Sequence, residues 1–106
     1  MNSTLNGTWQ VIDGKLVDPD PAIFDQGYWV AITNDVAVGD DQVDQLTLFH
    51  IDNGAEFVGV WYDKDKDVTY VDEVKLVGDL IDAIKLGRDY QQDAIWDIVH
   101  KTEIHL

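Results

Sequence analysis

Three features of the 106-residue chain predict an α+β domain, an antiparallel sheet of about five to seven strands with one helix near the C-terminus packed on one face. Short β-rich runs recur, divided by turn pairs such as Asp13-Gly14 and Asn53-Gly54. One stretch, residues 79–91, carries helix signals. The length suits one domain, which buries roughly 65% of the surface its unfolded chain exposes and so forms a core without staples. With 45% hydrophobic residues and four tryptophans, the composition is too apolar for a disordered acidic tail.

Taken in order, "TWQVI" at 8–12 is a strand, closed by Asp13-Gly14 and answered by "KLV". "DPDPAIFDQG" at 18–27 holds both prolines and reads as loop. "YWVAIT" is a strand, and "NDVAVGDDQVDQ" a long acidic connection or edge segment. "LTLFHI" and "FVGVWY" then read as two strands of a hairpin about "DNGAE", apolar on both faces and therefore central. "VTYVDEVKLV" follows. Its Val68, Tyr70, Val74 and Leu76 share one face, interrupted only by Asp72, while Thr69, Val71, Glu73 and Lys75 take the other.

Asp79 is placed to cap the helix, with Asp82 beside its positive end and Leu80, Ile81, Ile84 and Leu86 supplying apolar surface. Gly87 would allow the helix to approach the sheet closely. "DAIWDIV" returns as a strand, "HK" turns, and "TEIHL" pairs with it. One helix covers one sheet face; the other needs the N-terminal segments or a second copy of the chain, so a homodimer is an expectation.

The charge excludes several functions. Twenty-one acids against seven bases give a formal net charge of −14, and all the acids but Glu56, Glu73 and Glu103 are aspartate. Direct binding to nucleic acid or an anionic membrane would meet long-range repulsion. Residues 1–62 hold ten acids and one base, Lys15, whereas residues 63–106 hold eleven acids and six bases. A salt-adapted surface shares such a balance, but the dominance of aspartate over glutamate and of lysine over arginine points to a local cause. No apolar run approaches the ~18 residues of a membrane span and the N-terminus lacks a signal pattern, so the expected location is cytoplasmic.

Catalytic chemistry has few candidates. There is no cysteine, the only serine is Ser3, and no Gly-rich phosphate loop is present. Carboxylate pairs are too common among 21 acids to single out a catalytic one. His50, His100 and His105 lack metal-ligand spacing. The tip "DKDKD" offers Asp63, Asp65 and Asp67 at alternate positions, as a calcium loop would, but Val68 stands where the loop needs glycine and Val74 where it needs the bidentate glutamate. Lys64 and Lys66 also offset its charge, and a solvated hairpin tip is the expectation. Arg88, the sole arginine, is expected to pair with a local acid such as Asp89 or Asp93, or to lie over an aromatic ring. Neither enzyme activity nor a cofactor is expected.

"DLIDAIKLGRDYQQDAIWDI" at 79–98 resembles the C-terminal helix–strand unit of small uncharacterised phage and mobile-element proteins. The resemblance covers about a fifth of the chain, implies a host–phage context, and carries over no catalytic residue. In size and charge the chain is also similar to phage inhibitors of bacterial defence nucleases, anti-CRISPR proteins among them. The expected function is therefore that of a small acidic, phage-encoded protein that blocks a basic, nucleic-acid-binding surface of a host defence protein, such as a nuclease complex. The expected contact residues are Asp18, Asp20, Asp25, Asp35, Asp40, Asp41 and Asp44, with Asp63, Asp65 and Asp67 as a second patch. The alternatives are a structural or assembly component of a phage particle or other oligomer, and a calcium-binding module.

Overall fold

The computed structural model describes residues 7–106; Ser3 and most of the N-terminal stretch read above for a signal pattern lie outside them. The elements run β1 (Gly7–Ile12), β2 (Lys15–Val17), β3 (Tyr28–Ala31), β4 (Val36–Ala37), α1 (Asp40–Asp52), β5 (Phe57–Asp63), β6 (Val68–Val77), α2 (Leu80–Asp89), β7 (Ala94–Asp97) and β8 (Thr102–His105). The fold is α+β, with eight strands in one antiparallel sheet ordered β2-β1-β5-β6-β3-β7-β8, and β4 paired to β6 beyond the end of β3. Among the described residues, two helices and eight strands replace the expected one helix and five to seven strands.

The second helix is the main correction. Residues 46–51, "LTLFHI", lie in α1 rather than in a central strand, and the acidic segment before them supplies β4 and the first turns of α1. Asp40 and Asp41 sit in the first turn, where carboxylates face the positive end of the helix. Val43, Leu46 and His50, spaced three and four apart, turn inward, while Leu48 and Phe49 remain exposed. Asn53-Gly54 is accordingly a helix stop and not a hairpin turn. Asn53 caps α1 and Gly54 has φ +85°, a conformation that favours glycine.

Elsewhere the elements lie near their sequence signals, with α2 ending at Asp89 and β3 at Ala31, each two residues short of the expected end. β1 and β2 form a hairpin about Asp13-Gly14, and β5 and β6 pair over seven residue pairs from Phe57↔Val74 to Asp63↔Val68, leaving 64–67 as the tip. β5 sits between β1 and β6, which accounts for a strand apolar on both faces. The carboxylate of Asp79 accepts the Asp82 amide at 3.1 Å and caps α2. A Cβ at Gly87 would lie 3.0 Å from Ile95 Cγ2, so the missing side chain lets α2 lie against β7.

Strand register assigns the two faces of the sheet. Val58, Val60 and Val71 share one face with Trp9 and Ala37, under α1; Val30 and Ile95 lie on the same face under Ala83 of α2. Both helices thus cover one face. The other carries Phe57, Gly59, Trp61, Tyr70, Asp72, Val74, Trp29 and Trp96, and its cover is the 18–27 loop, whose Phe24 ring packs edge-on to Phe57 at 5.3 Å. No second copy is needed to explain that cover.

Between β3 and β4 the chain gains a residue. Ala31 pairs with Val74 and Val36 with Tyr70, so residues 32–35 stand opposite residues 71–73. This bulge changes which residues point to which face, and delivers Ala37 to the helix side, where it is fully buried.

Gly59 tests the open face. A Cβ there would meet Val74 Cγ2 at 2.8 Å and Trp61 Nε1 at 3.0 Å. Gly59→Ala is expected to lower stability by about 1–3 kcal/mol in urea unfolding, since a core valine and an indole must both shift. A variant as stable as the parent would mean that Trp61 does not lie over residue 59.

Candidate functional site

Nine of the ten aspartates expected to meet a partner separate into two groups, and the tenth, Asp35, lies in the segment between β3 and β4. Asp18, Asp20 and Asp25 belong to the loop that leads into Tyr28, which pairs with Val77 at one end of β6. Asp63, Asp65 and Asp67 belong to the tip at the other end, about 30 Å away along ten residues of strand. β4 pairs with Tyr70 and Thr69 near that tip, and α1 starts three residues after β4. Asp40, Asp41 and Asp44 therefore fall at the tip end, apart from the 18–25 group.

Most of these carboxylates are exposed, but several already serve the fold. Asp20 Oδ1 accepts the Ala22 amide, and Asp63 Oδ1 accepts those of Asp65 and Lys66. Asp67 Oδ1 accepts the Tyr62 hydroxyl at 2.8 Å, a bond that raises the phenol's pKa. Asp35 is half-buried, and its Oδ2 lies 3.0 Å from Nε2 of His50. Asp18, Asp25, Asp41 and Asp44 have no lysine or arginine at ion-pair distance among the described residues. Arg88 is exposed, and no described carboxylate or aromatic ring engages it. Among the described residues no three His, Asp or Glu side chains are grouped to hold a metal, the tip included. Among the described residues no helix is long and apolar enough to cross a membrane.

The bulge holds a buried polar network. Asp72 is 3% exposed, in the middle of β6, and its Oδ1 accepts the Thr33 hydroxyl at 2.8 Å and the Asp35 amide at 2.9 Å. His50 Nε2 donates to Val71 O at 3.0 Å and lies 3.0 Å from Asp35 Oδ2, which joins α1 to the bulge. Gln92 Nε2 donates to Thr33 O at 2.9 Å, and Asn34 Nδ2 to Tyr90 O, which joins the turn after α2 to the same place. Burial pushes the Asp72 carboxyl up to about 6. The Asp35 amide and Thr33 hydroxyl oppose that rise, the Asp35 carboxylate adds to it, and His50 lowers it. On the helix face Asp97 shows the reverse, its pKa lowered chiefly by the hydrogen bond from His100 Nδ1 at 2.7 Å.

Asp72 also lines a cavity of about 230 Å³ in the open sheet face. Trp29, Trp61, Trp96 and Tyr70 surround it, Thr8 and Val74 contribute from the sheet, and residues 91–94 with Asn34 form a side wall. Trp61 and Trp96 lie on strands separated by β6 and β3, yet their ring centroids are 6.1 Å apart. Thr8 Oγ1 is buried with no hydrogen-bond partner. None of these cavity residues was among the expected contacts. The available signal was Asp72 itself, the one acid on an otherwise apolar strand face.

No protein-family model matches the chain, and no curated protein or solved structure is found similar to it.

The raised carboxyl has a definite consequence for stability. The native state holds the Asp72 proton up to about pH 6, the unfolded chain only to about 3.9, so this group's effect on stability worsens as pH rises between those values. Asp72→Asn keeps an Oδ1 acceptor for Thr33 and Asp35. It is expected to be more stable than the parent at pH 7, by up to roughly 3 kcal/mol, with the difference shrinking towards zero below about pH 4. Urea midpoints of the two proteins across that range measure it; a constant difference would contradict the assignment.

Proposed function

We propose that the chain is a small acidic binding protein, phage-encoded, that occupies a basic, nucleic-acid-binding surface of a host defence protein. The observation that carries this reading is the convergence of Asp40, Asp41 and Asp44 of α1 with Asp63, Asp65 and Asp67 of the β5–β6 tip at one end of the sheet. Elements anchored on β6 hold these carboxylates, so they reach a partner without much further ordering cost. Their field, on a chain of net charge −14, steers a cationic surface towards that end and repels nucleic acid and anionic lipid. Occupying lysines and arginines that otherwise hold phosphates would displace the nucleic acid. Asp18, Asp20 and Asp25, at the far end, would add to the long-range field and not to the same contact.

The test is capture from a bacterial lysate at low salt, followed by salt elution. A basic nucleic-acid-binding protein is expected, and duplex DNA should compete for it. The Asp40, Asp41 and Asp44 to Asn triple variant should keep its melting transition and associate about tenfold more slowly, with a weaker salt dependence. Lys64→Gln with Lys66→Gln makes the tip more negative and should not slow association. Capture that DNA does not compete, or a triple variant that binds as fast as the parent, would remove the basis for this function.

A further inference from the structure

The cavity in the open sheet face has a chemistry of its own, separate from the outer carboxylates. Asp72, Asp93 and Glu103 line it and no lysine or arginine does, so its charged side chains all have one sign. Four aromatic side chains surround that charge, and aromatic faces attract cations. Its volume of about 230 Å³ falls below the roughly 300–1,000 Å³ of sites that enclose drug-sized ligands, which limits it to a group of side-chain size.

The hydrogen-bonding groups specify more. Asp72 Oδ1 takes both of the carboxylate's bonds from Thr33 and Asp35, which leaves Oδ2 with no donor among the described residues. Thr8 Oγ1, next to Gly59 in the register, is buried without a partner. Ala31, with its short side chain, lines the cavity beside Asp72. Asp72 Oδ2, beside the cavity and short of a donor, calls for a ligand that supplies N–H groups.

We propose that this cavity binds a guanidinium group, with Asp72 accepting its N–H bonds and the paired Trp61 and Trp96 rings lying along one side of it. A guanidinium fits better than a compact ammonium because it is planar, carries several donors in one plane and is weakly hydrated, so it stacks on indoles at a lower desolvation cost. The raised pKa of Asp72 agrees with this, since a buried carboxylate without a cation favours its proton and a bound cation would lower it again. The ligand is either an arginine side chain of a protein or a free guanidino compound. The inference stands without the function proposed above, because it concerns the sheet face and not the carboxylates of α1 and the tip.

The isolated protein suffices for the test. Ethylguanidinium, N-acetyl-arginine methylamide and the neutral N-acetyl-citrulline methylamide are titrated in turn, read by tryptophan fluorescence and the indole N–H signals of Trp61 and Trp96. Both guanidinium probes should saturate and shift those signals, with the citrulline analogue at least about tenfold weaker. Tighter binding of the arginine probe than of ethylguanidinium assigns the site to a protein side chain, and equal binding to a free guanidino compound. Asp72→Asn should reduce the preference for arginine over citrulline to near unity. Trp61→Phe supplies a second variant should the first not fold, and is expected to weaken the arginine probe several-fold while leaving citrulline unchanged. Equal binding of arginine and citrulline by the parent, or no saturable shift of either indole, would overturn the proposal.

Discussion

A carboxylate buried in the middle of the longest strand organises this molecule. Asp72 is held by Thr33 and by the Asp35 amide, residues that follow β3 and form the extra length of the bulge. Without a donor pair at that point the carboxylate would be desolvated and unsatisfied, at a cost of several kcal/mol. The bulge in turn orients β4, places Ala37 on the helix side and sends the chain into α1. His50 closes the circuit from the last turn of α1 back to Val71 and Asp35, and Gln92 ties the turn after α2 to Thr33.

From this follows the unequal treatment of the two sheet faces. Both helices lie on the face of Val30, Val58, Val71 and Ile95, where the contacts are mainly aliphatic, with Trp9 and Tyr28 at their margins. The opposite face is left to aromatic side chains and the single strap at 18–27. Large rings leaning inward from β5 and β7 close part of that face over Gly59 and leave the cavity beneath. The buried Asp72 carboxyl, with its raised pKa, and the unpartnered Thr8 hydroxyl both lie on that face.

The parts of the fold that depend on neighbouring residues were legible in the sequence. The Asp13-Gly14 hairpin, the Asp79 cap, the contact at Gly87 and the two-sided strand at 57–62 each follow from local chemistry or from face periodicity. The helix α1 was not read, because "LTLFHI" is continuously apolar and β-like while its inward face includes a histidine. The spacing of Val43, Leu46 and His50, with two aspartates opening the segment after Gly39, carried the helical signal. The bulge and the cavity lay beyond local reading. Thr33 and Asp72 are 39 positions apart, and Trp61 meets Trp96 only because the strand order brings them to one face. The placement of the acidic residues at two ends of the sheet likewise depends on register.

In this fold α1 and α2 share one face of the sheet while Trp61 and Trp96 meet on the other. Nuclear Overhauser contacts of the Trp61 ring test it most directly. Contacts from Trp61 to Trp96, Gly59 and Val74 are expected, and none to Val43 or Leu46. Contacts between Trp61 and those α1 side chains would place a helix over the face described here as open, and would contradict the fold's central arrangement.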